Sequence, residues 1–438
     1  MKPTLLALAL VAGPLFAQDA PKPAPDAPKT DSQRIQELER KVDILSRQLE
    51  AQQTGSTQPT ANGGEGAFGM GSAASKVYGA NAGLSIGGYG EIVYQNFDSK
   101  LQDGTRSAAD NQADTLRGVL YVGYKFNDRI VFNSELEWEH SGYSDEHPEG
   151  EAIVEFAYLD FLVNKAVNVR AGQLLLPMGF TNLIHEPPAV LSVARPFVER
   201  EGGIIPTTWH ENGVGLHGEL PFNLNYQAYV VAGLSATGYP NVEGFSAEGI
   251  SGGRQDGNKS VANHLAFTGR LDWNPVPGVT IGGSFYHGDS NQVPGAVPIY
   301  TSVFDAHAEY RARGWQLRGL YARTTNSAAG VAALGAADPA REVGTRQWGG
   351  YLEAGYDVLG LTGSTQALIP FLRWERLNLQ SQVAPGVVAD PANDQNILTG
   401  GLSWKPIPQI AVKADFSRVR NAAGSGRNQF DLGIGYEF

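Results

Sequence analysis

The last eleven residues, 428–438, alternate without a break. Phe430, Leu432, Ile434, Tyr436 and Phe438 fall on one face of a strand, and Gln429, Asp431, Gly433, Gly435 and Glu437 on the other. A strand at the end of a chain offers an unpaired edge that invites aggregation. Closing the sheet into a barrel removes that edge, because the last strand then pairs with the first. The length also matches the roughly 9–11 residues of one tilted membrane-crossing strand.

Upstream, the same alternation recurs from Gly83 onward. Candidate strands are Leu84–Phe97, Thr115–Phe126, Arg129–His140, Ala152–Val163, Val167–Leu175, Glu211–Leu220, Leu224–Leu234 and Ala262–Trp273. Val279–Gly288, Thr301–Ala312, Trp315–Thr325, Thr345–Val358, Ala367–Asn378, Asn396–Lys405, Gln409–Val419 and Asn428–Phe438 bring the total to about sixteen. Tight connections such as Asn127-Asp128, Arg313-Gly314 and Pro406-Ile407-Pro408 alternate with long polar loops such as 98–114, 176–210 and 235–261. Short turns at one end and long loops at the other are the habit of membrane barrels, and an even count leaves both termini on the turn side. In Arg129–His140, Ile130, Phe132, Leu136 and Trp138 share a face opposite Asn133, Glu135, Glu137 and Glu139. So wide a barrel cannot fill its interior with apolar side chains, so the charged face belongs inside. Trp138, Trp273, Trp315, Trp348, Trp374 and Trp404 lie in or at the ends of these strands, where an interfacial girdle would put them. The expected fold is all-β: a transmembrane antiparallel barrel of about sixteen strands over 83–438, preceded by a short periplasmic coiled-coil helix.

The rest of the chain fits export. Residues 1–17 read as a signal peptide, with Lys2, an apolar stretch Leu5–Val11 and a cleavage site at Leu15-Phe16-Ala17. No apolar run is long enough to cross a membrane as a helix. Residues 18–30 form a Pro-rich linker. In 31–52, Ile35, Leu38, Val42, Leu45 and Leu49 follow at steps of three and four, the a and d pattern of a coiled coil. A single amphipathic helix resting on a surface explains them as well. Residues 53–82 read as a flexible Gly/Ser-rich linker. Cysteine is absent, so disulfides, thiol catalysis and cysteine metal sites are excluded. The net charge is −12, which disfavours nucleic acid as a partner.

Three segments carry a family resemblance. They are Val169–Phe180 (VRAGQLLLPMGF), Arg195–Arg200 (RPFVER) and Gly213–Gly218 (GVGLHG). Their strand ending in Gly-Gln, the following Pro-x-Gly and the Glu-Arg pair resemble the phosphate-selective porin O/P family. That resemblance implies a trimer of sixteen-stranded outer-membrane barrels passing small anions, with loop 176–210 folded inward to narrow the pore. It also implies a basic wall, for which Arg117, Arg170, Arg270, Arg318, Arg373 and Lys413, with Lys125, are the lumen-facing candidates. Arg195 and Arg200 on the loop would then lie opposite Arg170 and Arg117. Carboxylates Glu91, Glu135, Glu137, Glu139, Asp272, Glu353, Glu375 and Asp415 share those faces, so an unselective mixed lining is an equal alternative. The terminal Phe438 resembles the assembly signal read by the barrel-assembly machinery.

The expected role is therefore an outer-membrane porin for passive diffusion of small hydrophilic solutes, including anions such as phosphate. The rivals are a plugged barrel tethered to the cell wall through its coiled coil and the barrel of a multi-protein conduit. No enzyme, cofactor or metal is expected: no Gly-x-Ser-x-Gly, phosphate loop or dinucleotide fingerprint occurs, and no two His stand at ligand spacing. His264, His287 and His307 sit on or near neighbouring strands and form the one conceivable lumenal cluster.

Overall fold

The computed structural model describes residues 66–142 and 150–438. The signal peptide, the Pro-rich linker, the coiled-coil helix and the first part of the 53–82 linker lie outside the described residues.

The strands are β1 (Gly83–Phe97), β2 (Gln112–Asn127), β3 (Ile130–Glu139), β4 (Glu151–Leu162), β5 (Asn168–Leu175), β6 (His210–Leu220), β7 (Leu224–Ala232) and β8 (Leu265–Trp273). They continue as β9 (Val279–Asp289), β10 (Tyr300–Ala312), β11 (Trp315–Asn326), β12 (Arg346–Tyr356), β13 (Ala367–Gln382), β14 (Asp394–Ile407), β15 (Ile410–Asn421) and β16 (Gln429–Glu437). Each pairs antiparallel with its chain neighbours, and β16 closes the ring on β1, with Tyr89 opposite Glu437 and Phe97 opposite Gln429. The edge left by the terminal strand is thus consumed. Phe438 adds two bonds to the seam, donating its N–H to Gly88 O at 2.9 Å and accepting from Gly88 N–H at 3.0 Å.

Side-chain alternation sets what faces each way. On β12, Leu352 is 64% exposed while its neighbour Tyr351 is 2% exposed. Ile86, Phe267, Phe304, Leu372 and Ile434 continue the apolar exterior, and Trp138, Trp273, Trp315, Trp374 and Trp404 stand exposed among them. Trp348 is only half exposed. The tight turns use backbone that suits the strand twist: Arg313 and Gly314, between β10 and β11, both have positive φ, at 54° and 82°.

The buried core lies inside the ring. The connection between β5 and β6 folds into the lumen, burying Leu176, Met178, Leu183, Leu191, Phe197, Ile204 and Trp209. Its close approach is allowed by bare backbone on the wall: a Cβ on Gly435 would sit 2.2 Å from Pro187 Cβ. Residues 66–82, expected as the end of a flexible linker, pack against the lumen too. Met70 and Val77 are buried, a short helix spans Lys76–Gly79, and a Cβ on Gly123 of β2 would meet Val77 at 2.6 Å. The low-complexity composition hid this, because small residues are what a close backbone-to-wall contact requires.

Candidate functional site

Among the described residues, charged side chains converge under cover in the interior of the ring, and two chain segments organise it. At the turn end, residues 66–82 lie against β2–β7. Asn133 Nδ2 donates to Ala74 O at 2.8 Å, Lys125 Nζ to Tyr78 O at 3.4 Å, and Ser72 Oγ to Glu437 Oε1 at 3.0 Å. Asp160 is the hub. Its carboxylate accepts from Tyr78 Oη at 2.7 Å and from Arg170 Nη2 at 2.8 Å, and pairs with His217 Nε2 at 2.7 Å. Phe68 lies edge-on to both Tyr78 and His217.

At mid-height the inward loop is stapled to the wall by backbone-to-carboxylate bonds. Glu199 accepts from Phe180 N at 2.5 Å, Thr181 N at 3.0 Å and Tyr351 Oη at 2.6 Å. Burial pushes its carboxyl up, and these donors pull it back. Asp415 accepts from Val193 N at 2.6 Å, Glu375 from Val198 N at 3.3 Å and Asp305 from Gly179 N at 3.0 Å. Lys405 and Lys413 donate to Pro188 O and Ser192 O at 2.7 and 2.9 Å. Lumenal carboxylates that alternation placed on the wall therefore serve as acceptors for the loop.

The sequence-predicted basic residues are distributed as follows. Arg117 reaches Glu139 at 3.2 Å and Glu91 and Glu137 at 3.7 Å. Arg170 pairs with Asp160 and lies over the Tyr158 ring. Arg270 pairs with Asp272 at 2.6 Å, and Arg318 with Glu309 at 2.7 Å over the Phe180 ring. Arg373 pairs with Glu375 at 2.8 Å and Glu353 at 3.0 Å. Arg195 Nη1 donates to Thr207 Oγ1 at 2.7 Å, and Arg200 stacks on Phe197, 3.4 Å from the ring centroid. Burial pushes the Arg200 guanidinium down to about 10, still charged at neutral pH. All these wall residues do face inward. Of the expected set, Arg195 and Arg117 converge on Glu137 and Glu139, whereas Arg170 is held at the turn end beneath residues 66–82 and Arg200 lies beside Glu375 and Arg373 of β13. The His cluster does not form. His287 is exposed on the outer side, His264 approaches Asp289, and His307 is clasped by Asp305 and Asp272. Phe438 is 51% exposed on the outer face.

Cavities remain between these contacts. One of about 330 Å³ at the turn end is lined by Phe68, His217, Tyr226, Gln227, Arg270 and Asp272. Arg270 and Asp272 also line a smaller one of about 50 Å³, whose opposite wall is Phe180, Glu309, Arg311 and Arg318. Sequence reasoning missed the part played by residues 66–82 and the group formed by Glu135, Glu155 and His185, whose ligand atoms all lie within 4.8 Å of one another. Those three come from β3, β4 and the inward loop, so no local spacing announces them.

No family model matches the chain. An uncharacterised protein of Aquifex aeolicus is 36% identical over 358 residues, covering 80% of this chain and 79% of that one. Among solved structures, Salmonella typhi OmpF in complex with daunomycin aligns with a TM-score of 0.55 at 13% identity, over 81% of this chain and 97% of that one. The outer membrane channel DcaP of Acinetobacter baumannii aligns with a TM-score of 0.51 at 10% identity, over 81% and 97%. A loop L8 deletion mutant of OmpT, an outer membrane protein of Vibrio cholerae, gives 0.51 at 11% identity, over 82% and 100%.

Proposed function

The chain belongs to one family with the Aquifex aeolicus protein, and we propose that it is an outer-membrane porin-like channel for passive diffusion of small hydrophilic solutes. The observation that carries this reading is a closed ring of sixteen strands with an exposed apolar exterior and its charged wall residues turned within. Such a surface is stable only with hydrocarbon around it, and the charged groups within need protein partners, water or ions to meet them. Likeness to OmpF, to the DcaP channel and to Vibrio OmpT supports the reading at the level of fold. Passage down a gradient asks no catalytic group of the wall, so we assign no enzymatic role.

Phosphate-type selectivity is a finer proposal, and the pairing geometry weakens it. Five of the eight nominated cations, Arg117, Arg170, Arg270, Arg318 and Arg373, have carboxylate partners, which cancels most of the field an entering anion would feel. We infer at most weak anion preference. A homotrimer in outer-membrane lipid, delivered by the barrel-assembly machinery, completes the proposal, and a trimer form of Vibrio OmpT (TM-score 0.50, 11% identity) supports it.

A second reading has one observation in its favour. The inward loop and residues 66–82 fill much of the lumen, as a plugged tether would require. Reconstituting the full chain in a planar bilayer separates the two. Discrete current steps support the channel; silence at high protein density supports the tether.

A further inference from the structure

We propose that Glu135, Glu155 and His185 form a binding site for one divalent first-row cation of the Zn²⁺ class, which pins the inward loop to the barrel wall. Each side chain comes from a different element. Glu135 lies on β3, Glu155 on β4 and His185 on the loop between β5 and β6. All three are at most 3% exposed.

The backbone goes out of its way to bring Glu155 in. The pairing of β3 with β4 slips at this point: Glu135 faces Phe156, whereas the next residue, Leu136, faces Val154. Glu155 is the extra residue of that bulge, and both Glu155 and Phe156 turn inward and are buried. Without the slip, strict alternation would turn Glu155 out to the exterior. Bulges re-aim single side chains in this way and gather at functional positions.

The donor atoms have the spacing a cation needs. His185 Nε2 is 3.1 Å from Glu135 Oε1 and 3.5 Å from Glu155 Oε2. Ligands about 2.0–2.1 Å from a tetrahedral Zn²⁺ lie about 3.3 Å from one another. The other ring nitrogen, Nδ1, is 3.3 Å from Asn182 O. A proton on Nε2 is donated to Glu135 Oε1; with the proton on Nδ1 instead, donated to Asn182 O, the Nε2 lone pair faces the carboxylate oxygens and is open to a cation. A cation turns that arrangement into coordination, and the Asn182 contact orients the ligand as outer-shell bonds do.

Charge balance points the same way. Glu135 Oε2 has no hydrogen-bond partner among the described residues, whereas Glu155 shares a hydrogen bond with Glu137 and the neighbouring, buried Glu186 meets backbone at Ala74. Of the two guanidinium groups on this side, Arg117 reaches Glu91, Glu137 and Glu139, and Arg195 acts on Glu155 as well as on Glu137 and Glu139 without an ion-pair contact to the trio. Two carboxylates and one imidazole, with no sulfur, suit Zn²⁺, Mn²⁺ or Fe²⁺ better than Mg²⁺ or Ca²⁺.

The test uses the full chain folded in detergent, stripped with EDTA, loaded with Zn²⁺ and desalted, with folding confirmed by heat-modifiable gel migration. Wild type should retain one zinc per chain. Glu155→Gln, which preserves size, and His185→Ala should each retain at least about tenfold less at the same free zinc. The X-ray absorption spectrum of zinc-loaded wild type provides a measurement needing no variant: an all-nitrogen-and-oxygen shell containing one imidazole is expected. Wild type that holds no zinc, folded variants that hold as much as wild type, or a shell without imidazole would each overturn the site. None of these readouts depends on conduction.

Discussion

At the scale of single residues, burial turns the interior charges into structure. Arg170 and Asp160 are 3% and 0% exposed, and their contact also fixes Tyr78 and His217. Removing one partner strands the other, so Arg170→Met should lower unfolding free energy by about 3–5 kcal/mol, read from urea denaturation of the folded barrel. An unchanged midpoint would mean that water reaches Asp160. Phe438 is the opposite case: it buries little and bonds through its backbone. Its deletion should reduce the amount recovered in the outer-membrane fraction while the assembled remainder conducts normally, and undiminished recovery would remove its signalling role. Alternation in the sequence made the inward direction of Arg170, Arg373 and Lys413 legible. Their partners were not, because those partners come from neighbouring strands and from a loop whose path no periodicity encodes.

At the scale of elements, the strands and the interior segments differ in how they are specified. Every strand from β1 to β16 announces itself by period-two alternation between turn signals, and the expected boundaries hold to within a few residues. Residues 66–82 carry no period, since their environment is the curved inner wall, where contacts come from β1, β2, β3 and β7 at once. Their position at the turn end gives a second test of the channel reading. A chain beginning at Gly83 should show larger unit conductance than the full chain in the same bilayer, because Met70, Val77 and Tyr78 no longer occupy the lumen. Equal conductance would put the narrowest point elsewhere, in the loop between β5 and β6.

At the scale of the whole molecule, selectivity and closure depend on the sum of the interior. Paired charges should leave the reversal potential in a tenfold salt gradient close to zero, with a small anion bias. Arg200→Glu should move it towards cations, whereas Glu243→Arg, on an outer loop whose field is screened within about 8 Å, should barely move it. Equal shifts from both would show that Arg200 lies off the ion path. The seam between β1 and β16 has a consequence of its own. Residues 66–82 precede the first strand and the inward loop sits between the fifth and sixth, yet both end up enclosed by a ring whose last rungs run from Tyr89–Glu437 to Phe97–Gln429. Once that seam is paired, the contents can enter only through the two open ends of the ring. The ring thus acts as a bottle and its two inner segments as the ship, held in place by what they touch and not by the seam.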